Sequence, residues 1–92
     1  MTAAVRKAAR AAGQHLEATV FVGRLGATDA AAEEVRVQLK TRPFVKVRVS
    51  RDAEGGRHGA AENLAELAGA DLVEVRGFTA LLAARKGGRK RE

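Results

Sequence analysis

Few residues of this chain have the chemistry to make or break bonds. The single serine, Ser50, stands beside a loop with no histidine or aspartate at a recognisable motif spacing. The two histidines, His15 and His58, lie far apart and follow no metal-ligand pattern. There is no cysteine, which excludes a disulfide, a thiolate nucleophile and a cysteine-built zinc site. The acids fall mostly on helical stretches beside bases, where pairing with neighbours or solvent is their ordinary role. The expectation is therefore no enzyme, no metal site and no cofactor. One stretch is supplied for a different chemistry. In "TVFVGRLGATDAAAEEV", residues 19–35, two glycines stand between an apolar run and an alanine-rich one. A strand-loop-helix junction aims backbone N–H groups and the positive end of a helix in one direction, an anion site without any side chain. Gly23 and Gly26 let backbone approach a phosphate closely, with Leu25 between them and Arg24 adding a mobile charge. The third glycine of a dinucleotide fingerprint and the Gly-Lys-Ser/Thr ending of a P-loop are both missing.

The elements that must position this loop follow from hydrophobic periodicity. Residues 2–16 predict a helix capped by Thr2, with Val5, Ala9, Ala12 and Leu16 on one stripe and Arg6, Lys7 and Arg10 off it. "TVFV", residues 19–22, is β-branched and aromatic with no charge and predicts a buried strand. After "GRLG", Thr28 is a candidate N-cap, and Asp29 and Glu33 favour the start of a second helix. Ala31, Ala32, Val35 and Leu39 form its inner stripe, and Pro43 ends it. "FVKVRV", residues 44–49, alternates: Val45, Val47 and Val49 face one way, Phe44, Lys46 and Arg48 the other. "SRDAEGG" is a loop. A third helix over about 57–68 turns Ala60, Leu64 and Leu67 inward and Glu62 and Glu66 outward, with Gly69 ending it. "DLVEV" and "TALLA" flank a tight-turn signal at Arg76-Gly77 and predict a closing antiparallel hairpin. The order α-β-α-β-α-β-β predicts an α/β (α+β) single domain: a four-stranded mixed sheet with helices packed on it and an antiparallel edge from the hairpin.

Composition bounds the partners. The chain has 92 residues, enough for one thin core, and much of its 46% apolar content is alanine. No apolar stretch approaches membrane-spanning length and no signal-peptide core stands at the N-terminus, so the expectation is a soluble, cytoplasmic protein with no membrane partner. Net charge is +6, placed at the two ends. Residues 85–92 carry five bases and one acid, and residues 1–16 carry three bases and no acid. The middle is near neutral. Basic ends suit a polyanionic partner, and a solvated helix with a solubilising tail is the plain alternative.

Two resemblances add to this. "GRLG", in its strand-helix context, resembles the GXXG loop of KH domains, which clamps a nucleic-acid backbone. The longer run "VFVGRLGATDAAAEEVRVQLKTRPFVKVRVS" resembles the CRM domain, the chloroplast splicing and ribosome maturation domain whose single-domain bacterial member is YhbY. The family pattern is a strand, a GxxG loop, a Thr at the helix start, a helix ending in Leu, and a Leu/Ile-Lys-Val-Lys/Arg strand. Here these are Val20–Val22, Gly23–Gly26, Thr28, Leu39 and Val45–Arg48. The match continues through "GADLVEVRGFTALLAAR". Leu16-Glu17-Ala18 stands where the family has Leu-Lys-Pro, and Ala83 and Ala84 precede Arg85 where the family often ends in Tyr-Arg.

The resemblance implies a CRM (YhbY-like) RNA-binding domain over residues 1–84; the basic run 85–92 is expected, from its terminal position, to be a disordered tail. It implies a fold similar to the C-terminal domain of translation initiation factor three. It also implies binding to structured ribosomal RNA and a part in assembly of the large ribosomal subunit; a monomer is expected. The expected RNA-binding residues are Gly23, Arg24, Leu25 and Gly26 in the loop, with Arg6, Lys7, Arg10, Lys46, Arg48, Arg85 and Lys86 extending the basic surface. Three Phe and no Tyr or Trp leave no extensive base-stacking platform, so binding should lean on phosphates and shape. An Alba-like DNA- or RNA-binding chromatin protein, and a protein-interaction module on ribosomal particles using Glu62 and Glu66, are the alternatives.

Overall fold

The computed structural model describes residue 4, residues 7–8, residue 11 and residues 16–85. Of the helix expected over 2–16, Ala4, Lys7, Ala8 and Ala11 are helical, and Leu16 is not. Arg6, Arg10 and the tail from Lys86 onward lie outside the described residues.

The first strand, β1, is Ala18–Val22. Val20 and Val22 are buried, whereas Thr19 and Phe21 face solvent. The expected buried strand is buried through Val20 and Val22 alone: β1 is an edge of the sheet with one face covered. Uncharged β-branched composition suits either a central or an edge setting, so the run itself does not distinguish them.

Helix α1 spans Asp29–Leu39 and starts where Thr28 predicts. The Ala31 N–H donates to Thr28 Oγ1 at 3.2 Å, satisfying one of the free donors of the first turn. Ala31, Ala32 and Val35 are buried and Leu39 packs partly buried beside them. Strand β2, Phe44–Val49, alternates as its sequence does, with all three valines in the core.

Helix α2, Gly56–Ala68, begins and ends on left-handed glycines rather than on a side-chain cap. Its inner stripe is Ala60, Ala61, Leu64, Ala65 and Ala68. Leu67, expected inward, is 45% exposed. Four alanines and Leu64 take the buried arc of the helix, which leaves Leu67 at its margin. Strands β3, Ala70–Arg76, and β4, Thr79–Ala84, complete the fold. The turn between them is one residue later than Arg76-Gly77 suggests. Arg76 still pairs with Thr79, and the two-residue loop is Gly77-Phe78, with Gly77 at φ 56.

The strand order is β1-β2-β4-β3. β1 and β2 are parallel, and β4 runs antiparallel to both of its neighbours. The hairpin therefore inserts its returning strand inside the sheet, and β3 forms the second edge. That edge is antiparallel, as the hairpin predicts; β4 carries the apolar run Ala80-Leu81-Leu82-Ala83, all buried, which suits a central strand, while β3 carries Asp71 and Glu74.

Both helices cover one face, meeting Val20, Val22, Val45, Val47, Val49, Ala80 and Leu82. The register slips between Leu72 and Glu74 on β3, which lets Leu72 and Val75, three apart, both reach that core. Val73 is left on the opposite face, where it joins Leu81 and Ala83 in a second cluster with Leu16 and Phe44. Further along that face, on its open part, Phe21 and Arg48 are exposed and Lys46 is half-buried.

Candidate nucleic-acid interface

Gly23–Gly26 leaves the C-terminal end of β1 and turns into α1. The Gly26 N–H donates to Gly23 O at 3.0 Å, closing a tight turn, and Gly26 sits at φ 80. A neighbouring loop, residues 50–55, supports it from beneath. The Ser50 N–H donates to Val22 O at 2.8 Å and the Glu54 N–H to Arg24 O at 2.9 Å. A Cβ on Gly26 would stand 2.8 Å from the Glu54 carbonyl oxygen, closer than any packing tolerates. Gly26 is thus glycine for two internal reasons, its left-handed backbone and the backbone beneath it.

Gly23 differs. Its φ is not left-handed, and a Cβ there would meet nothing within 4 Å. Nothing in the described structure requires it to be glycine. Gly26→Ala is expected to cost about 1–3 kcal/mol of stability, whereas Gly23→Ala changes it by less than about 0.5 kcal/mol. Urea midpoints of the two variants check this. Equal losses would show that the two glycines share one structural role.

Arg24 and Leu25 form the tip, and Leu25 is 75% exposed. Among the described residues, no backbone acceptor takes the Arg24 or Leu25 N–H, and no hydrogen bond or ion pair holds the Arg24 guanidinium. The first turn of α1 follows directly, its positive end partly offset by Asp29.

The remaining expected site residues divide. Arg48 is exposed on the open face and pairs in register with Phe21, two residues from Gly23. Lys46 lies on the same face, half-buried, its Nζ donating to Leu16 O at 3.3 Å. Lys7 is exposed. Arg85 stands at the opposite end of the sheet, 3.2 Å from Asp71 Oδ1 and donating to Ala70 O at 2.9 Å, so it fastens β4 to β3 there. Arg6, Arg10 and Lys86 lie outside the described residues.

Residues that the sequence did not single out complete the loop end. The guanidinium groups of Arg51 and Arg57 lie 4.9 and 5.2 Å from the centre of the Phe78 ring, which sits in the β3–β4 turn. Such cation–π contacts hold long side chains in place at about 0.5–1 kcal/mol each when exposed. Between them and β1 opens a cleft of about 430 Å³, lined by Phe21, Gly23, Arg48, Ser50, Arg51 and Phe78 among others. No local spacing links positions 51, 57 and 78; only the return of β4 beside β2 brings them together. Among the described residues no group of three or more His, Asp or Glu is placed to hold a metal, and no helix is long and apolar enough to cross a membrane.

The architecture is that of a known small α+β fold. The solution structure of the Staphylococcus aureus protein SAV1595 superposes with a TM-score of 0.80, covering 98% of this chain and 94% of that one at 20% sequence identity, which shows a shared fold. Residues 1–83 match the CRS1 / YhbY (CRM) domain, and the chain belongs to that family. A relative from Methanocaldococcus jannaschii, named "Probable RNA-binding protein MJ0652", is 34% identical over 84 residues. That match takes in 89% of this chain and 62% of the relative's length, so the chain spans less than two thirds of that protein.

Proposed function

We propose that the protein is a non-catalytic RNA-binding factor. In this reading it holds structured ribosomal RNA at the Gly23–Gly26 loop and assists assembly of the large ribosomal subunit, as a monomer in the cytoplasm. Membership of the CRM family and the RNA-binding name of the archaeal relative support RNA as the partner. The observation that carries the loop assignment is Gly23. It is a glycine that the described fold does not need, next to an exposed arginine that has no hydrogen-bond or ion-pair partner among the described residues. A side chain there would stand between the backbone and an approaching phosphate. Leu25 and the N–H groups at the tip face the same approach. Gly26 keeps the corner in shape. Arg48 and Lys46 on the open face, with Arg6, Lys7 and Arg10, extend the positive surface. Arg85 stands at the far end beside Asp71, and Lys86, next in the sequence, is a further candidate contact. The two-residue Gly77-Phe78 turn supplies no extended arm, which weighs against the Alba-like alternative.

Because phosphates supply the attraction, affinity should fall by roughly 0.7 log unit per tenfold rise in salt for each single-stranded phosphate contacted. Filter binding to a large-subunit ribosomal RNA fragment over a salt series measures the slope, with unrelated structured RNA and duplex DNA as competitors. A flat salt response, or duplex DNA outcompeting the ribosomal fragment, contradicts the reading. Co-sedimentation with large-subunit precursors tests the assembly role.

A further inference from the structure

The cleft beside the loop is built from different chemistry than the loop itself. Phe21 lies two residues before Gly23, on the strand that feeds the loop, and its ring is on the open side of an edge strand. It is 65% exposed, in a chain with only three aromatic residues. Across the sheet its register partner is Arg48, a flat cation with no partner of its own among the described residues. The far wall is Phe78 with Arg51 seated against it. The residues lining the cleft include two arginines, two aromatic rings and no carboxylate. Its volume falls within the roughly 300–1,000 Å³ of small-ligand sites.

We infer that this cleft receives one unpaired nucleobase, stacked on Phe21, whose adjoining phosphate lies on the Gly23–Arg24 corner. The inference rests on the RNA-binding reading and adds to it a place where a base, not only the backbone, is felt. A planar base suits an exposed ring flanked by a guanidinium, since both present flat faces to it. A phosphate is drawn to the loop two residues away, so a single nucleotide spans both. Arg51, held by Phe78, borders the edge of the base. A helical duplex keeps its bases stacked inside and cannot offer one to the cleft, so the selected feature is a bulge, loop or single-stranded end.

The test uses two oligonucleotides of equal length and charge, one single-stranded RNA and one in which the central nucleotides are abasic. Fluorescence anisotropy at low salt gives affinities for the wild-type chain, Phe21→Ala, Phe21→Tyr and Arg24→Glu. Wild type is expected to prefer the base-bearing strand by about tenfold, the effect of one stacked base. Phe21→Ala should lose that preference while binding the abasic strand as before, and Phe21→Tyr should keep it. Arg24→Glu should weaken both strands alike. Equal binding of the two strands by wild type, or an undiminished preference in Phe21→Ala, overturns the inference and leaves the RNA reading standing. Binding of neither strand overturns both. Circular dichroism confirms that each variant is folded; Phe21 lies outside both buried clusters, so its replacement leaves the core intact.

Discussion

An Arg24→Glu chain is expected to fold as the parent does and to bind structured RNA roughly 10- to 100-fold more weakly, the effect of losing one charge-assisted contact. The fold should be unaffected because the side chain is exposed and makes no hydrogen bond or ion pair among the described residues. Substitutions at such sites change stability by no more than about 0.5 kcal/mol. What changes is the charge at the tip of the loop, where a phosphate would meet a carboxylate. The salt dependence should become shallower by about 0.7 in the log–log slope, one single-stranded phosphate contact. Arg42→Glu is the matched control. It makes the same change in net charge, but Arg42 precedes Pro43 at the N-terminal end of β2, the end of the sheet away from the loop. If binding depends on net charge alone, the two variants weaken equally. If it depends on the loop, only the first falls steeply. Filter binding with both proteins, checked by circular dichroism, separates the outcomes, and an unchanged affinity in Arg24→Glu removes the loop from the site.

Leu82→Ala is expected to cost about 2–5 kcal/mol of folding stability. Leu82 lies in β4, wholly buried, and pairs in register with Val45 on one side and Leu72 on the other. Among the described residues the largest wholly buried side chains are Leu64, Leu82 and six valines, and the rest of the main core is mostly alanine. Such a core has few large groups to close over a cavity. A domain of this size holds only about 5–15 kcal/mol in total, so one substitution removes much of its margin. Urea unfolding should show a lower midpoint with an unchanged slope. Leu67→Ala, on the exposed shoulder of α2, should move the midpoint little. Comparable losses at the two leucines would contradict the burial pattern.

The elements that are set locally were legible in the sequence. Thr28 with its downstream alanines specifies both the start and the inner face of α1. The alternation of residues 44–49 specifies which face of β2 is buried, and Gly69 marks the end of α2. The glycine pair announced its own turn and the family that carries it. What the sequence did not reveal depends on residues far apart. Whether an apolar strand is central or at an edge is decided by its neighbours, so β1 and β4 looked alike. The register slip in β3 reverses which residues face inward after Leu72, and period-2 reasoning has no means of placing it. Gly23 and Gly26 are the same letter, and only the Glu54 carbonyl beneath one of them tells them apart. The Phe78–Arg51–Arg57 cluster follows from the pairing of β4 with β2, a contact between segments some thirty residues apart.

That pairing also governs when the domain can finish folding. β1, α1 and β2 form one half of the sheet, and α2 with β3 belongs to the other, with β4 as the strand that hydrogen-bonds to both. During synthesis the N-terminal half emerges first, at roughly 5–20 residues per second. Until residues 79–84 have left the ribosomal tunnel, β2 and β3 each show an unpaired flank to whatever lies nearby. The hairpin that supplies β4 is local and closes in roughly microseconds once its residues are free. Completion of the sheet therefore waits for β4 to emerge, and the nascent chain carries an open seam between β2 and β3 until that strand arrives.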